Sequence, residues 1–182
     1  LDKKLLIYGF NRDELKYNTI CETAKNYDIE VGEISYEDIS QKVGTLMKFP
    51  GYEREDKKAV EAPEIEFLLF SDFDREPLMS FLKDLREAGL AVPYKSVVTE
   101  TSKDWEFSYL LEHIQEEHLV MTKFNELGKL VKRAQDVLEK KESKNLRETL
   151  EYVIEIKNFS EINEEIIEER YNKLVEALKE EE

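Results

Sequence analysis

Two uninterrupted apolar runs, Leu5-Leu6-Ile7-Tyr8 and Phe67-Leu68-Leu69-Phe70, constrain the fold of this chain more than any other feature. A strand with one wet face alternates apolar and polar residues, so runs without alternation read as strands covered on both faces. Each run leads into a helical pattern. Behind the first, Asn11 to Glu14 read as a helix start with Asn11 as its cap, and Tyr17, Ile20, Cys21, Ala24 and Tyr27 recur at helical spacing. Behind the second, Leu78, Phe81, Leu82, Leu85 and Ala88 recur in the same way, and Gly89 supplies a helix stop. Ile29, Val31 and Ile34, and later Tyr94 to Thr99, read as further strands. Residues 39–47 read as a short helix and Tyr52 to Lys58 as an exposed loop behind Pro50-Gly51. Trp105, Leu110, Leu111 and Ile114 belong to another helix.

The two halves also align residue by residue. At an offset of 63, Leu5, Leu6, Phe10, Arg12 and Leu15 fall on Leu68, Leu69, Phe73, Arg75 and Leu78. Further on the offset is 61, and Ile20, Ala24, Ile29 and Val31 fall on Phe81, Leu85, Leu90 and Val92. The first half therefore carries two extra residues near the start of its helix. This predicts an α/β body of duplicated β-α-β-α units, residues 1–62 and 63–120, forming a small, mainly parallel sheet with helices on both faces. A ferredoxin-like α+β body, covered on one face, is the alternative. From about Thr122 the strand-like runs stop. Three amphipathic stretches follow, carrying Phe124, Leu127, Val131, Ala134 and Leu138, then Leu146, Leu150 and Val153, then Ile167, Tyr171, Leu174 and Leu178. Residues 121–182 are thus expected to form a C-terminal three-helix bundle or arm, with Asn163 capping the last helix and Ile162 and Ile167 as its staple.

Composition narrows the partners. Asp and Glu outnumber Lys and Arg by 42 to 27, a net charge of −15. Binding to phosphate backbones rests on Lys and Arg, so nucleic acid and anionic membrane are not expected partners. No apolar run approaches the length of a membrane span. The single cysteine, Cys21, fits a reducing, cytoplasmic setting and reads as a small apolar residue on a helix face. A protein partner or a homo-oligomer stays open.

Within residues 64–118, the runs Phe67 to Phe70 and Lys95-Ser96-Val97-Val98-Thr99-Glu100-Thr101, with Leu82, Leu85, Gly89, Trp105 and Glu117-His118, resemble a small bacterial family known only as domain of unknown function 3783. Position 102 is Ser where that pattern has Asn. The resemblance implies a domain boundary and a bacterial origin, and carries no activity with it.

Chemistry-bearing residues are sparse. Asp72 and Asp74 follow a buried strand and, with Glu100, are the candidates for an acidic Mg²⁺ site, though Asp74 falls where Asn11 falls and both residue types cap helices. His118 is expected near a helix end and His113 on the surface; neither has ligand-spaced companions. No catalytic set, resident metal or cofactor is expected. The candidate binding patch is Lys95, Thr99, Glu100, Thr101 and Trp105, at the end of the fourth strand. Two functional classes remain. One is a non-enzymatic protein-interaction or self-association module, favoured by the exposed-looking Tyr52, Tyr94 and Trp105. The other is a small-molecule or nucleotide-binding protein, including an enzyme, that uses the strand ends near Gly9, Asp72 and Thr99-Glu100. A deep pocket at those ends would favour the second, a flat apolar patch the first.

Overall fold

The computed structural model describes residues 3–71 and 73–181, in two compact units, Leu1–Gln115 and Glu116–Glu182. The first is built on a four-stranded sheet of β1 (Lys4–Tyr8), β2 (Glu30–Glu33), β3 (Phe67–Phe70) and β4 (Tyr94–Val97), in the order β2-β1-β3-β4. β1 runs parallel to β2, and β3 to β4, while the central pair is antiparallel. The fold is therefore α/β with a mostly parallel sheet. Between the strands of each pair lies one helix, α1 (Leu15–Lys25) or α2 (Arg75–Glu87). Behind each pair comes a 3₁₀ turn, Tyr36–Asp38 or Ser102–Asp104, and then a helix, α3 (Val43–Met47) or α4 (Phe107–Leu138).

Alternation along the apolar runs explains their composition. Leu5, Ile7, Leu68 and Phe70 pack with Ile20 and Ala24 of α1 and Phe81 and Leu85 of α2. Leu6, Tyr8, Phe67 and Leu69 pack on the other face with Val43 and Met47 of α3 and Phe107, Leu110 and Leu111 of α4. Both faces are dry, so neither alternate set can be polar. The one-sided ferredoxin-like alternative is thereby replaced by helices on both faces.

The pairing maps onto itself when the halves are exchanged. With Leu5 set on Leu68, the facing pair Leu6–Leu69 is its own equivalent, and Leu5–Phe70 exchanges with Ile7–Leu68. A second self-equivalent pair lies at Lys42–Glu106, at offset 64. Around it, Val43 N–H donates to the Trp105 carbonyl at 2.9 Å and Phe107 N–H to the Gln41 carbonyl at 3.0 Å, two bonds that exchange with each other. The helix ends match as well: Asp28 and Gly89 have φ of 53° and 80°, and the next residues, Ile29 and Leu90, donate to Ala24 and Leu85. From the second strands onward the offset of 61 gives way to 64. Val31 faces Leu5 and Lys95 faces Leu68, so Val31 matches Lys95 and not Val92. Residues Ala91 to Pro93 lengthen the turn into β4.

Two helix starts also differ from expectation. Asn11 does not cap α1; its side chain accepts from Asp13 N–H in a tight turn, and α1 begins at Leu15. That turn, residues 11–14, takes up the two extra residues. Asp74 does stand at the cap position of α2, yet its side chain makes no cap hydrogen bond.

The second unit is helical, formed by the later part of α4 with α5 (Lys144–Ile154) and α6 (Glu164–Lys179). The helices expected on either side of residue 121 are one 32-residue helix, because Phe107 to Leu127 holds neither Gly nor Pro and Gly128 alone does not stop it. The unit's core holds Leu127, Leu146, Leu150, Val153, Ile167, Leu174 and Leu178, with Val131 and Ile162 against it. Ser143 and Asn163 cap α5 and α6 by accepting from Leu146 and Ile166 N–H, at 3.2 and 3.0 Å. Among the described residues Arg170 is the buried charge of this unit. Its guanidinium lies 4.7 Å from the ring centres of both Tyr152 and Phe159 and pairs with Glu169 at 2.9 Å. Among the described residues no helix is long and apolar enough to cross a membrane.

Candidate functional site

Because β1 and β3 are antiparallel, each end of the sheet gathers the C-terminal ends of one strand pair and the N-terminal ends of the other. At the end where β3 and β4 finish lies a cleft of about 760 Å³. Its floor is made by Lys4, Glu30, Ser71 and Val98 at the strand ends. One wall is the end of α3 and the segment behind it, Met47 to Pro50 with Tyr52, and Thr99, Glu100 and Lys103 complete the lining.

Local chemistry holds each part in place. Ser71 Oγ accepts from Lys4 N–H at 2.9 Å and Ser71 N–H donates to the Lys4 carbonyl, which ties β1 to the end of β3. Thr99 N–H donates to Ser102 Oγ at 2.9 Å while Ser102 N–H donates to Thr99 Oγ1 at 3.1 Å, a reciprocal box that turns the chain at the rim. Lys48 takes the left-handed conformation, φ 60°, and Phe49 N–H then closes on the Gly44 carbonyl, ending α3. Tyr52 lies against Gly44, where a Cβ would come 2.5 Å from its ring, and its hydroxyl donates to Asp104 at 2.7 Å. The Asp104 bond pushes the Tyr52 phenol pKa upward.

Among the described residues the lining of the cleft is cationic on balance. Lys4, Lys48 and Lys103 stand against Glu30 and Glu100, whereas the chain as a whole is acidic. Lys4 pairs with Glu30 at 3.6 Å and Lys103 with Glu100, whose bond holds the Lys103 ammonium above its ordinary pKa. Among the described residues Lys48 has no ion-pair partner. Apolar surface comes from Met47, Phe49 and Val98, all part of the core on that face of the sheet or packed against it.

The expected patch is divided by the fold. Thr99 and Glu100 reach the cleft and Thr101 is exposed on the turn beside them. Lys95 faces the α1–α2 side, where its ammonium donates to the Val92 carbonyl at 2.9 Å and burial beside Arg86 lowers its pKa. Trp105 packs on the other face, edge-on to Tyr109 and His113 at 5.0 and 5.2 Å. Tyr52, Tyr94 and Trp105 are half-buried instead of exposed: Tyr94 and Trp105 cover part of that face, and Tyr52 lies against Gly44. His113 is half-buried in the same aromatic set, and His118 sits within α4, exposed, far from a helix end. Asp72 lies outside the described residues; among the rest no cluster of three metal-ligating side chains occurs. Sequence reading missed Lys4, Glu30, Lys48, Phe49 and Lys103, which no motif connects. Their only signal is position: Lys4 and Glu30 open strands, Lys48 and Phe49 follow α3, and Lys103 lies in a 3₁₀ turn.

Residues 66–121 match the family described as Domain of unknown function (DUF3783). The match holds β3, α2, β4 and the first part of α4, and with them the Thr99–Lys103 rim of the cleft. No curated protein and no solved structure matches the chain.

Proposed function

We propose that this chain is a non-enzymatic binding module whose ligand sits in the cleft at the C-terminal ends of β3 and β4. The observation that carries this reading is the juxtaposition of three lysines with the apolar wall of Met47, Phe49 and Val98 in one recess of ligand size. A ligand suited to it has an anionic group and an apolar part. Among the described residues the carboxylates of the lining, Glu30 and Glu100, already face lysines, an arrangement that supports holding a charge more than abstracting a proton. The recess favours ligand capture at a strand end over a flat interaction patch, and parallel strand ends are where α/β sheets commonly receive ligands.

A thermal-shift screen of the full chain against anionic metabolites and short peptides tests this. A stabilising ligand whose effect disappears in a Lys48→Glu/Lys103→Glu variant supports the cleft. Stabilisation that survives both charge reversals places the ligand elsewhere and refutes the reading.

A further inference from the structure

The two ends of the sheet are equivalent under exchange of the halves, yet one is filled and the other open. Ser71 and Val98 of the cleft correspond to Tyr8 and Ile34 at the opposite end, and Met47 of its wall corresponds to Leu111. At that opposite end the chain covers itself. The Tyr8 hydroxyl donates to the Pro63 carbonyl at 3.4 Å, and Ala62 and Ile65 pack into the same apolar layer as Tyr8 and Leu111. The backbone passes so close that a Cβ on Gly9 would fall 2.1 Å from the Ile65 carbonyl oxygen. This covering segment has neither helix nor strand and is acidic, with Glu61, Glu64 and Glu66 around Ala62, Pro63 and Ile65. A lysine secures it, since Lys16 pairs with Glu66 at 2.7 Å.

At the cleft the small Ser71 stands where the other end has the large Tyr8, and Lys48 and Lys103 both line the opening. We infer that the cleft is a docking groove for an extended acidic peptide of a partner protein, bearing an aliphatic side chain, received as Ala62 to Ile65 are received at the other end. This rests on the reading of the cleft as the binding site and names its occupant. Charge complementarity fits: among the described residues of the lining, lysines outnumber carboxylates on an otherwise acidic molecule. The aliphatic side chain would meet Met47, Phe49 and Val98, the counterpart of the layer that holds Ile65. An extended segment brings main-chain carbonyls as well as side chains, and the Pro63 carbonyl bond shows one such group in use.

The test is titration of the isotope-labelled full chain, followed by amide NMR, with a blocked peptide of the sequence of residues 61–66. Saturable shifts are expected at Ser71, Val98, Thr99 and Lys103. Affinity should fall about tenfold with Lys103→Glu, and by a similar factor when serine replaces the peptide's isoleucine. Absence of cleft shifts at millimolar peptide overturns the inference, and so do shifts confined to Tyr8 and Gly9, which would mean exchange with the chain's own segment. Pyrophosphate and adenosine monophosphate, titrated separately, distinguish the two readings. If they shift the cleft and the peptide does not, the peptide inference falls and the anion-binding cleft stands. If no probe shifts it, both fall.

Discussion

One end of the sheet is closed by residues 62–65 over Tyr8 and Gly9, whereas the other, built from equivalent positions, opens into the cleft beside Ser71 and Thr99. The backbone scaffolds match down to exchanged hydrogen bonds, so the difference comes from side-chain size and from where the chain goes next. After α3 the chain turns back through residues 48–66 and covers the far end; at the corresponding point α4 runs on without a break. Equal scaffolds can therefore carry unequal chemistry, and the comparison can be tested position by position.

The sharpest test uses the self-equivalent pair. Leu6 and Leu69 are both buried at the centre of the sheet, and each replaced by alanine should cost about 3 to 5 kcal/mol in urea unfolding. If the two losses differ by more than about 1.5 kcal/mol, the central pair is less symmetric in energy than in geometry. Glycines separate the halves next. Gly9→Ala combines a φ of 76° with a clash on Ile65 and should cost about 3 kcal/mol. Gly89→Ala has a similar φ, 80°, but nothing within 4 Å, and should cost about 1 to 2 kcal/mol. Similar losses at both sites would mean that the chain over Gly9 gives way easily. Smaller still, Tyr8→Phe removes one 3.4 Å hydrogen bond to Pro63 and should cost about 0.5 to 1 kcal/mol, with faster amide exchange confined to the 62–66 stretch.

The smallest effect is a pH dependence confined to the first half. The Tyr17 hydroxyl donates to Glu33, and that bond, above all other causes, pushes the phenol pKa up to about 12 from 10.0. A raised phenol pKa means the fold favours the neutral form. Its contribution is whole below pH 10, the unfolded value, and is lost as pH climbs toward 12. The site is exposed, so the effect is small. In the second half Glu33 corresponds to Val97, and no such bond can form there. Melting temperatures of Tyr17→Phe should therefore converge with those of the parent between pH 10 and 12. Parallel curves throughout that range would remove Tyr17 as the cause.

How far these features could be read from residues alone depended on whether the governing interaction was local. Phe67 to Phe70 announced a doubly covered strand because burial on both faces forbids alternation, and Gly89 and Asn163 marked helix ends through short-range geometry. The offset near Val31 misled because apolar residues also fill the turn before β4, and only the ladder shows that Lys95 is the true match. Helix α4 was divided in error where its apolar spacing weakens, although no residue there breaks a helix. The cleft was legible only at Thr99 and Glu100. Lys4, Lys48 and Lys103 converge through pairing between distant segments, and nothing in the spacing of single lysines signals that.

The matched positions of Tyr8 and Ser71 have a consequence for how such a molecule can change. In a complex of two identical chains, every substitution appears on both sides of the axis at once. There a phenol that anchors a covering segment would be forced on the end that must stay open. Here the two positions belong to one chain and are encoded separately, so Tyr8 can reach Pro63 while Ser71 binds the start of β1. A single polypeptide thus holds a lopsided arrangement that an exact dyad would forbid, and each end can be altered without rewriting the other.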